Sequence, residues 1–363
     1  MSQDNLLFSP KTIGQLALQN RIVMAPMTRS RAIDNIPNDT MRDYYQQRNT
    51  AGLLITEGTS PSANGLGYAR IPGIFNQQQA DAWGKIAKAV HAGGSKLVVQ
   101  LMHTGRIGHE LNLPAGHSLI GPSAVAAAGQ MWTDQQGMQN HPVPKAMDRN
   151  DLERVKQDFV HASKLAIGAG LDGVELHAAN GYLLGQFLNP RSNVRNDEYG
   201  GSAENRRRYL LEVLDAVSAE IGAGRVGVRI SPFNPFNDLA ANYENEEAEY
   251  LELTAELARR NIAYLHVIAT PGAVPDSSVQ AIRDAFPGPL MLAGEFNRER
   301  AEAALNSGIA DVVAFGKPFI GNPDLPARLL KNIALNAFNP DALYTPGPQG
   351  YSDYQPHEEA ALA

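Results

Sequence analysis

The 363-residue sequence contains no cysteine. This absence excludes disulfide bonds, cysteine nucleophiles, zinc–cysteine sites and iron–sulfur clusters. The chain also lacks an apolar run of about 18 residues, the length that spans a bilayer. Its first residues, MSQDNLLFSPKTIG, show neither the basic stretch nor the apolar run of a signal peptide. We therefore expect a cytoplasmic protein without a membrane partner.

Basic residues are not in excess either, since 31 Lys and Arg stand against 38 Asp and Glu. The formal net charge is −7, which argues against nucleic acid as a partner. The nine histidines show no metal-binding spacing such as HExxH, so we predict no metal site. The hydrophobic share of 43% and the charged share of 19% are ordinary for a globular enzyme with a large core.

Short apolar runs recur along the chain, and helical patterns separate most of them. Because the runs are continuous and do not alternate, they indicate parallel strands buried on both faces. Strands that alternate with helices predict an α/β fold, a (β/α)8 barrel in a single domain. We expect its core at about residues 8–340 and a tail, 341–363, partly over the active site. The eight predicted strands are 21–26, 53–58, 96–101, 173–176, 226–231, 264–269, 290–294 and 311–316.

A doubly wound sheet is the structural alternative. It would normally carry a glycine-rich turn after its first strand, whereas Gly222-Ala-Gly224 precedes a strand. Helices are predicted behind N-cap candidates at Asp148 or Asn150, at Ser202 and at Asn297. Two long segments, 104–147 and 232–247, leave the carboxyl ends of strands, where lids and substrate loops belong.

The segment 177–182, HAANGY, follows the fourth predicted strand and is rich in polar groups. Ligands of parallel α/β proteins bind beyond the carboxyl ends of the strands. His177, Asn180 and Tyr182 offer two neutral donors and a weakly acidic hydroxyl. This set suits a carbonyl or nitro oxygen that gains negative charge, beside a carbon that must be protonated. A histidine such as His177, taken alone, is more often a structural residue.

Polar residues and glycines follow other strands. Gly294 and Gly316 stand where barrels often bind phosphate, and Lys317 would add a positive charge there. Lys317 could alternatively form a Schiff base. Arg229 could be a buried ion-pair partner of Glu175 or Glu57. The residues themselves leave these alternatives open.

A resemblance to a known family is carried by five stretches: RIVMAPMTRSRA, LLITEGTS, VVQLMHTGR, HAANGYLLGQFLNPRSNVRNDEYGG and VVAFGKPFIGNPDLPARL. The sequence resembles the Old Yellow Enzyme family of FMN-dependent ene reductases over about residues 8–354. Within the family it is similar to the bacterial branch of N-ethylmaleimide and pentaerythritol tetranitrate reductases. The resemblance implies FMN as cofactor and NADPH or NADH as reductant.

The resemblance also assigns roles to individual residues. Thr28 would bond the flavin carbonyl near N5, Gln100 the pyrimidine edge, and Arg229 would place positive charge by N1 and O2. Gly294, Gly316 and Lys317 would hold the phosphate. The implied cofactor-binding set is Pro26, Met27, Thr28, Gly58, Gln100, Arg229, Gly294, Gly316 and Lys317.

The implied reaction is a ping-pong hydride transfer from reduced FMN N5 to the β-carbon of an α,β-unsaturated carbonyl or nitro compound. His177 and Asn180 would bind the activating oxygen, and Tyr182 would protonate the α-carbon. Tyr68, Met102 and Tyr351 would line the substrate site. Nitrate-ester or nitroaromatic reduction is a further expectation, with small-molecule enones and nitroalkenes as partners of a monomer or homodimer.

Departures from the family pattern are Met102 for tryptophan, Asn180 for a second histidine, and Lys317 for arginine. Glu295, beside the implied phosphate site, has no assigned role. The alternatives are another FMN-barrel oxidoreductase, a flavin-free barrel lyase using Lys317, and a flavin-binding relative without catalytic activity.

Overall fold

A computed structural model describes residues 5–358. The chain begins with an antiparallel hairpin, β1 (Lys11–Ile13) and β2 (Leu16–Leu18). Eight parallel strands then close into a barrel. In chain order they are β3 (Ile22–Met24), β4 (Leu53–Ile55), β5 (Lys96–Leu101), β10 (Gly173–Ala178), β11 (Val226–Ile230), β12 (Tyr264–Ile268), β13 (Leu290–Ala293) and β14 (Val312–Phe315).

Helices follow most barrel strands, and short strands lie in the long segment after β5. These strands are β6 (Ile120–Gly121), β7 (Gln130–Thr133), β8 (Gly137–Asn140) and β9 (Lys145–Ala146). The helices are α1 (Asp39–Gln46), α2 (Gln77–His91), α3 (Arg149–Gly168), α4 (Leu183–Leu188), α5 (Ala203–Ile221), α6 (Glu246–Arg259), α7 (Asp276–Ala285), α8 (Arg298–Asn306), α9 (Lys317–Gly321) and α10 (Leu325–Lys331).

The barrel strands are buried on both faces, as the continuous apolar runs predict. Seven of the eight predicted runs contain a barrel strand, and the eighth, 173–176, lies within β10, so the (β/α)8 barrel is confirmed and the doubly wound alternative is wrong. Six of the runs extend beyond their strands by one to three residues, because they include strand exits such as 56–58 and 294, which lie after the last strand residue, whereas β10 is two residues longer than predicted.

The predicted helix starts are confirmed where a side chain caps the first turn. The side chains of Asp148, Ser202 and Asn297 accept the backbone N–H three residues ahead, at the beginnings of α3, α5 and α8. Of the two candidates before α3, Asp148 is the cap. The hairpin β7–β8 was not predicted, since its strands are short and partly exposed.

The N-terminal hairpin covers the amino ends of the barrel strands. Ile13, Leu16 and Leu18 join a buried apolar cluster with the strand residues Val23 and Leu53. The amino end of the barrel is therefore filled with apolar side chains, whereas cavities lie at the carboxyl end.

The strand register brings five polar residues of the barrel together. Glu175 and His177 are alternate residues of β10 and so share a face. Glu175 lies opposite Gln100 of β5, and His177 lies opposite Arg229 of β11. Arg229 in turn lies opposite His266 of β12. Pairing between strands thus assembles the floor of the candidate site.

No helix among residues 5–358 is long and apolar enough to cross a membrane.

Candidate active site

Two adjoining cavities open at the carboxyl ends of the barrel strands. The inner cavity, about 280 Å³, is lined by residues from several strand exits. The outer cavity, about 1070 Å³, is lined by Tyr68, Trp132, Met138 and other loop residues. Thr28, Tyr182, Phe236 and Tyr344 line both. The polar residues of the inner cavity are Thr28, Arg29, Gln100, His177, Asn180, Tyr182, Arg229, Lys317 and Tyr344.

His177 is buried at the end of β10 and presents a neutral ring to the inner cavity. Burial, the Arg229 charge and His266 lower the pKa of His177 well below its usual value. The Ala179 N–H donates to Nδ1 of His177 over 3.3 Å, so Nδ1 is the unprotonated nitrogen. The ring proton therefore lies on Nε2, which is left as a hydrogen-bond donor.

Asn180 follows two residues later in a left-handed backbone conformation, with φ 54°. Its N–H donates to Ser231 Oγ over 2.9 Å, and its carbonyl accepts from Asn237 Nδ2 over 2.7 Å. Asn tolerates this backbone region better than most residues. The side chain lines the inner cavity beside His177.

Tyr182 packs against the His177 ring, with centroids 4.8 Å apart in an edge-on arrangement. Its hydroxyl lies 3.0 Å from the Tyr68 hydroxyl. Burial raises the pKa of Tyr182, and the Tyr68 contact opposes this shift only in part. The phenol is therefore protonated at neutral pH and holds a proton at the boundary of the two cavities.

The floor of the inner cavity carries buried charge. Glu175 accepts from Gln100 Nε2 over 2.7 Å and from His266 Nδ1 over 2.8 Å. Burial opposes ionisation of Glu175, but His266, Arg229 and Gln100 together lower its pKa. Glu175 is thus an anion that faces the Arg229 cation. No direct salt bridge joins the two among the described residues, although the sequence left an Arg229–Glu175 ion pair open.

Arg229 has the features of a ligand-binding residue. It is buried, and its Nε–H has no hydrogen-bond partner within the described chain. A buried donor left unpaired is costly, so an acceptor from a bound group is expected there. Lys317, at the same cavity, forms no ion pair among residues 5–358. Two cations and a neutral donor set fit a phosphate-bearing, electron-accepting ring system such as FMN.

The predicted cofactor-binding residues divide into two groups. Pro26, Met27, Thr28, Gln100, Arg229 and Lys317 line the inner cavity. Gly58, Gly294 and Gly316 do not, and cofactor binding stays a prediction for all nine residues.

The three glycines differ in what surrounds them. A Cβ on Gly58 would meet Met102 Sδ at 2.4 Å, and Gly294 combines φ 134° with a Cβ clash against Ala269 O at 2.4 Å. A Cβ on Gly316 would meet only Met27 Sδ, at 3.8 Å. Gly316 therefore leaves open space beside Lys317, which fits the approach of a bound group to the backbone.

The prediction that Tyr351 lines the substrate mouth is wrong. Tyr351 is fully buried and stacks on Tyr44, with ring centroids 4.0 Å apart and planes at 8°. Arg31 lies 4.9 Å above the same ring. In the C-terminal segment the tyrosine that lines both cavities is Tyr344, which is 61% exposed.

Arg29 and Arg31 anchor the C-terminal segment and were missed by sequence reasoning. Arg29 donates to the carbonyls of Leu343 and Gly350, and Arg31 donates to six acceptors including Ala342 O. Arg29 and Arg31 stand close behind the cavity residue Thr28 in the sequence, but nothing near them indicates the carbonyls that they bind.

Hydrogen bonds also hold other loops at the carboxyl end of the barrel. Arg195 donates to both carboxylate oxygens of Asp197, and Asn193 donates to Tyr199 O, so these residues brace their own loop. The long segments 104–147 and 232–247 both reach the outer cavity, through residues such as Trp132 and Phe236. Asn234 and Asn237 of the second segment contact Asn180 and were not singled out from the sequence.

Comparisons with known proteins agree with this geometry. The sequence model of the NADH:flavin oxidoreductase / NADH oxidase family matches residues 6–336. A protein of Leishmania infantum named "Probable flavin mononucleotide-dependent alkene reductase" is 40% identical, over 96% of this chain and 97% of its own. Morphinone reductase in complex with tetrahydroNAD aligns with a TM-score of 0.92 and 41% identity, over 97% and 98% of the two chains. The old yellow enzyme homologue from Zymomonas mobilis aligns with a TM-score of 0.91 and 38% identity, over 96% and 99%.

Proposed function

The chain belongs to the NADH:flavin oxidoreductase / NADH oxidase family as an Old Yellow Enzyme homologue, and on this premise we propose that it reduces the activated double bond of α,β-unsaturated carbonyl and nitro compounds. It is an NAD(P)H-dependent flavin oxidoreductase with FMN as cofactor. The family assignment leaves no place for the flavin-free lyase that Lys317 alone suggested. Nitrate esters and nitroaromatics belong to the proposal as further substrates.

The observation that carries the proposal is the convergence of three neutral donors on one cavity. His177 Nε2–H, the Asn180 side chain and the Tyr182 hydroxyl all line it. Preorganised donors in a site shielded from water stabilise a developing oxyanion more than water does. A carbonyl or nitro oxygen bound by His177 and Asn180 would draw electrons from its conjugated double bond. The β-carbon would become electrophilic.

When bound, FMN supplies hydride transfer between NAD(P)H and the substrate. The protein's part is to bind, orient and protonate. Thr28, Gln100, Arg229 and Lys317 would hold the cofactor at the inner cavity, and Arg229 would add a positive charge there. Glu175 keeps Gln100 in one orientation, since its carboxylate can only accept the Nε2–H.

Tyr182 would deliver the proton that completes the reduction. Its raised pKa keeps the proton on the phenol until a stronger base, the developing carbanion, is beside it. The Tyr68 hydroxyl, 3.0 Å away, would stabilise the phenolate after transfer and lead toward the outer cavity. The outer cavity's apolar and aromatic wall would take the remainder of a bulky enone, or the nicotinamide reductant in the preceding half-reaction.

The test is the visible spectrum of the purified protein in the absence of oxygen. We expect the yellow flavin band to bleach on addition of NADPH or NADH and to return on addition of 2-cyclohexenone. If the band bleached but did not return, the protein would reduce its flavin with NAD(P)H but would not reduce the enone, and the proposed ene reductase activity would be refuted. A protein that binds no FMN after incubation would contradict the assignment of the inner cavity.

A further inference from the structure

We propose that Asn234, in the segment after β11, is a positioning residue that fixes the Asn180 amide as a hydrogen-bond donor to the substrate's activating oxygen. The inference rests on the proposed function and identifies how one of its two donors acquires its direction. Asn234 does not itself line either cavity.

The Asn234 amide faces a backbone group that can only donate a hydrogen bond. The Phe236 N–H donates to Asn234 Oδ1 over 3.0 Å. A backbone N–H can only donate, so the atom that faces it must be the amide oxygen of Asn234. The NH2 group of Asn234 must therefore point the other way.

The orientation of Asn234 in turn fixes that of Asn180. Asn234 Nδ2 donates to Asn180 Oδ1 over 2.8 Å. Because an amide NH2 has no acceptor capacity, the Asn180 atom that faces it must be oxygen. Asn180 Nδ2 is left without a hydrogen-bond partner among residues 5–358, in a side chain that lines the inner cavity.

This orientation decides the sign of the interaction with a substrate. With its oxygen held by Asn234, Asn180 offers N–H groups and complements an oxyanion. In the flipped orientation, Asn180 would present its own oxygen and repel the same charge. His177 needs no such help, because the Ala179 N–H already fixes its tautomer.

The backbone of Asn180 is held by other residues, so the Asn234 contact acts on the amide alone. Ser231 Oγ accepts the Asn180 N–H, and Asn237 Nδ2 donates to the Asn180 carbonyl. A change at Asn234 can therefore release or reverse the amide while the φ 54° backbone stays in place.

The experiment measures binding of 4-nitrophenol to the FMN-loaded protein by difference spectroscopy. Only the phenolate absorbs strongly in the visible, so the spectrum reports both affinity and ionisation of the bound ligand. In Asn234→Asp, one carboxylate oxygen can still accept the Phe236 N–H. The other can only accept from Asn180, which forces the amide to turn its oxygen into the cavity. In Asn234→Ala the amide is merely released.

We expect Asn234→Ala to weaken nitrophenolate binding about 3-fold and Asn234→Asp about 10-fold or more, with a smaller phenolate fraction bound. Asn242→Asp is the matched control, because it adds the same charge to an exposed position of the same segment. It should leave binding unchanged. FMN content and thermal unfolding of each variant show that the fold is intact.

A double-mutant cycle separates action through Asn180 from a general effect of charge. In an Asn180→Ala background, Asn234→Asp should have no further effect on binding or on the KM for 2-cyclohexenone. The inference would be overturned if Asn234→Asp weakened nitrophenol binding equally in both backgrounds. It would also be overturned if Asn234→Asp and Asn234→Ala bound nitrophenol with the same affinity. Loss of binding in Asn180→Ala together with normal binding in Asn234→Asp would also overturn it and leave the proposed function standing. Wild-type protein that binds no nitrophenol would refute both.

Discussion

Two segments cover the same cavities from different parts of the chain, and they differ in how their side chains are oriented. The segment 177–182 leaves strand β10 and directs His177, Asn180 and Tyr182 to the inner cavity. The C-terminal segment 342–351 directs Tyr344 to the cavities and buries Tyr351. In the first segment the expected residues line the cavity, whereas in the second Tyr344 takes the place that was expected of Tyr351.

The difference lies in what holds each backbone. The first segment continues a strand whose register is set on both sides, by β5 and by β11. The second has no strand or α-helix, and its carbonyls are held by the guanidinium groups of Arg29 and Arg31. Pairing between barrel strands fixes the backbone at a strand exit. The backbone of the tail is fixed by two arginine side chains that are far away in sequence.

The largest expected effect comes from the first segment. Tyr182→Phe should slow enone reduction by about 10²–10⁴-fold, because general acid catalysis is lost. Reduction of the flavin by NAD(P)H should be nearly unchanged, since no proton from Tyr182 enters that half-reaction. Rapid-mixing measurements of the two half-reactions, each followed at the flavin band, distinguish the two rates.

Tyr68→Phe is the control, because it removes the hydroxyl that contacts Tyr182 and leaves the proton donor in place. Its effect on enone reduction should be clearly smaller. Equal losses in both half-reactions for Tyr182→Phe would contradict its role as a proton donor.

The sequence was sufficient for the barrel and for the strand-exit residues. Buried parallel strands have to be continuously apolar, so a charged residue such as Arg229 stands out against the pattern. Strand ends meet at one edge of a barrel, so residues far apart in sequence can be grouped from the order of the strands alone. The positions of His177 and Arg229 on the same cavity follow from this rule.

The loop-dependent part of the site could not be predicted in the same way. Asn234 lies 54 residues from the Asn180 amide that it holds, in a segment without periodicity. The choice between Tyr344 and Tyr351 depends on arginine–carbonyl bonds that span more than 300 residues. Neither contact leaves a local signal, because a polar residue in a loop usually serves its own backbone.

The next expected effect is on stability and concerns the second segment. Tyr351→Ala should lower the free energy of unfolding by about 3–5 kcal/mol, since it removes a fully buried aromatic ring. Tyr344→Ala should change it by about 0.5 kcal/mol or less, because the side chain is exposed. Tyr344→Ala should instead raise the KM for bulky enones. Denaturant unfolding and steady-state kinetics measure the two quantities.

Tyr351→Phe is the matched control within this pair. The Tyr351 hydroxyl is buried without a hydrogen-bond partner among the described residues, so its removal should be neutral or slightly stabilising. If Tyr351→Ala raised the KM strongly and left the stability unchanged, then Tyr351 would contact the substrate and would not be a core residue.

The smallest expected effect concerns Glu57, a buried carboxyl beside the arginines that hold the tail. Burial raises the pKa of Glu57 to about 7, although the Arg29 N–H and the Arg29 and Arg31 charges oppose the shift. Its Oε1 atom has no hydrogen-bond partner within residues 5–358, whereas Oε2 accepts the Arg29 N–H over 3.3 Å. Glu57 is therefore protonated in the folded protein at pH values where the unfolded chain has released the proton.

The sign of the pH dependence follows from this difference. Between its usual pKa of 4.5 and about 7, the folded state binds more protons at Glu57, so stability falls as the pH rises through this range. Glu57→Gln is neutral at every pH, so its stability should not fall in this way. The free energy of unfolding of the variant minus that of the wild type should therefore be larger at pH 8 than at pH 5, by about 1–3 kcal/mol. Glu244→Gln, at an exposed site, should show no such change. If urea unfolding gives the same pH dependence for wild type and Glu57→Gln, then Glu57 is ionised in the folded state. The arginines would then hold the tail as partners of a buried carboxylate.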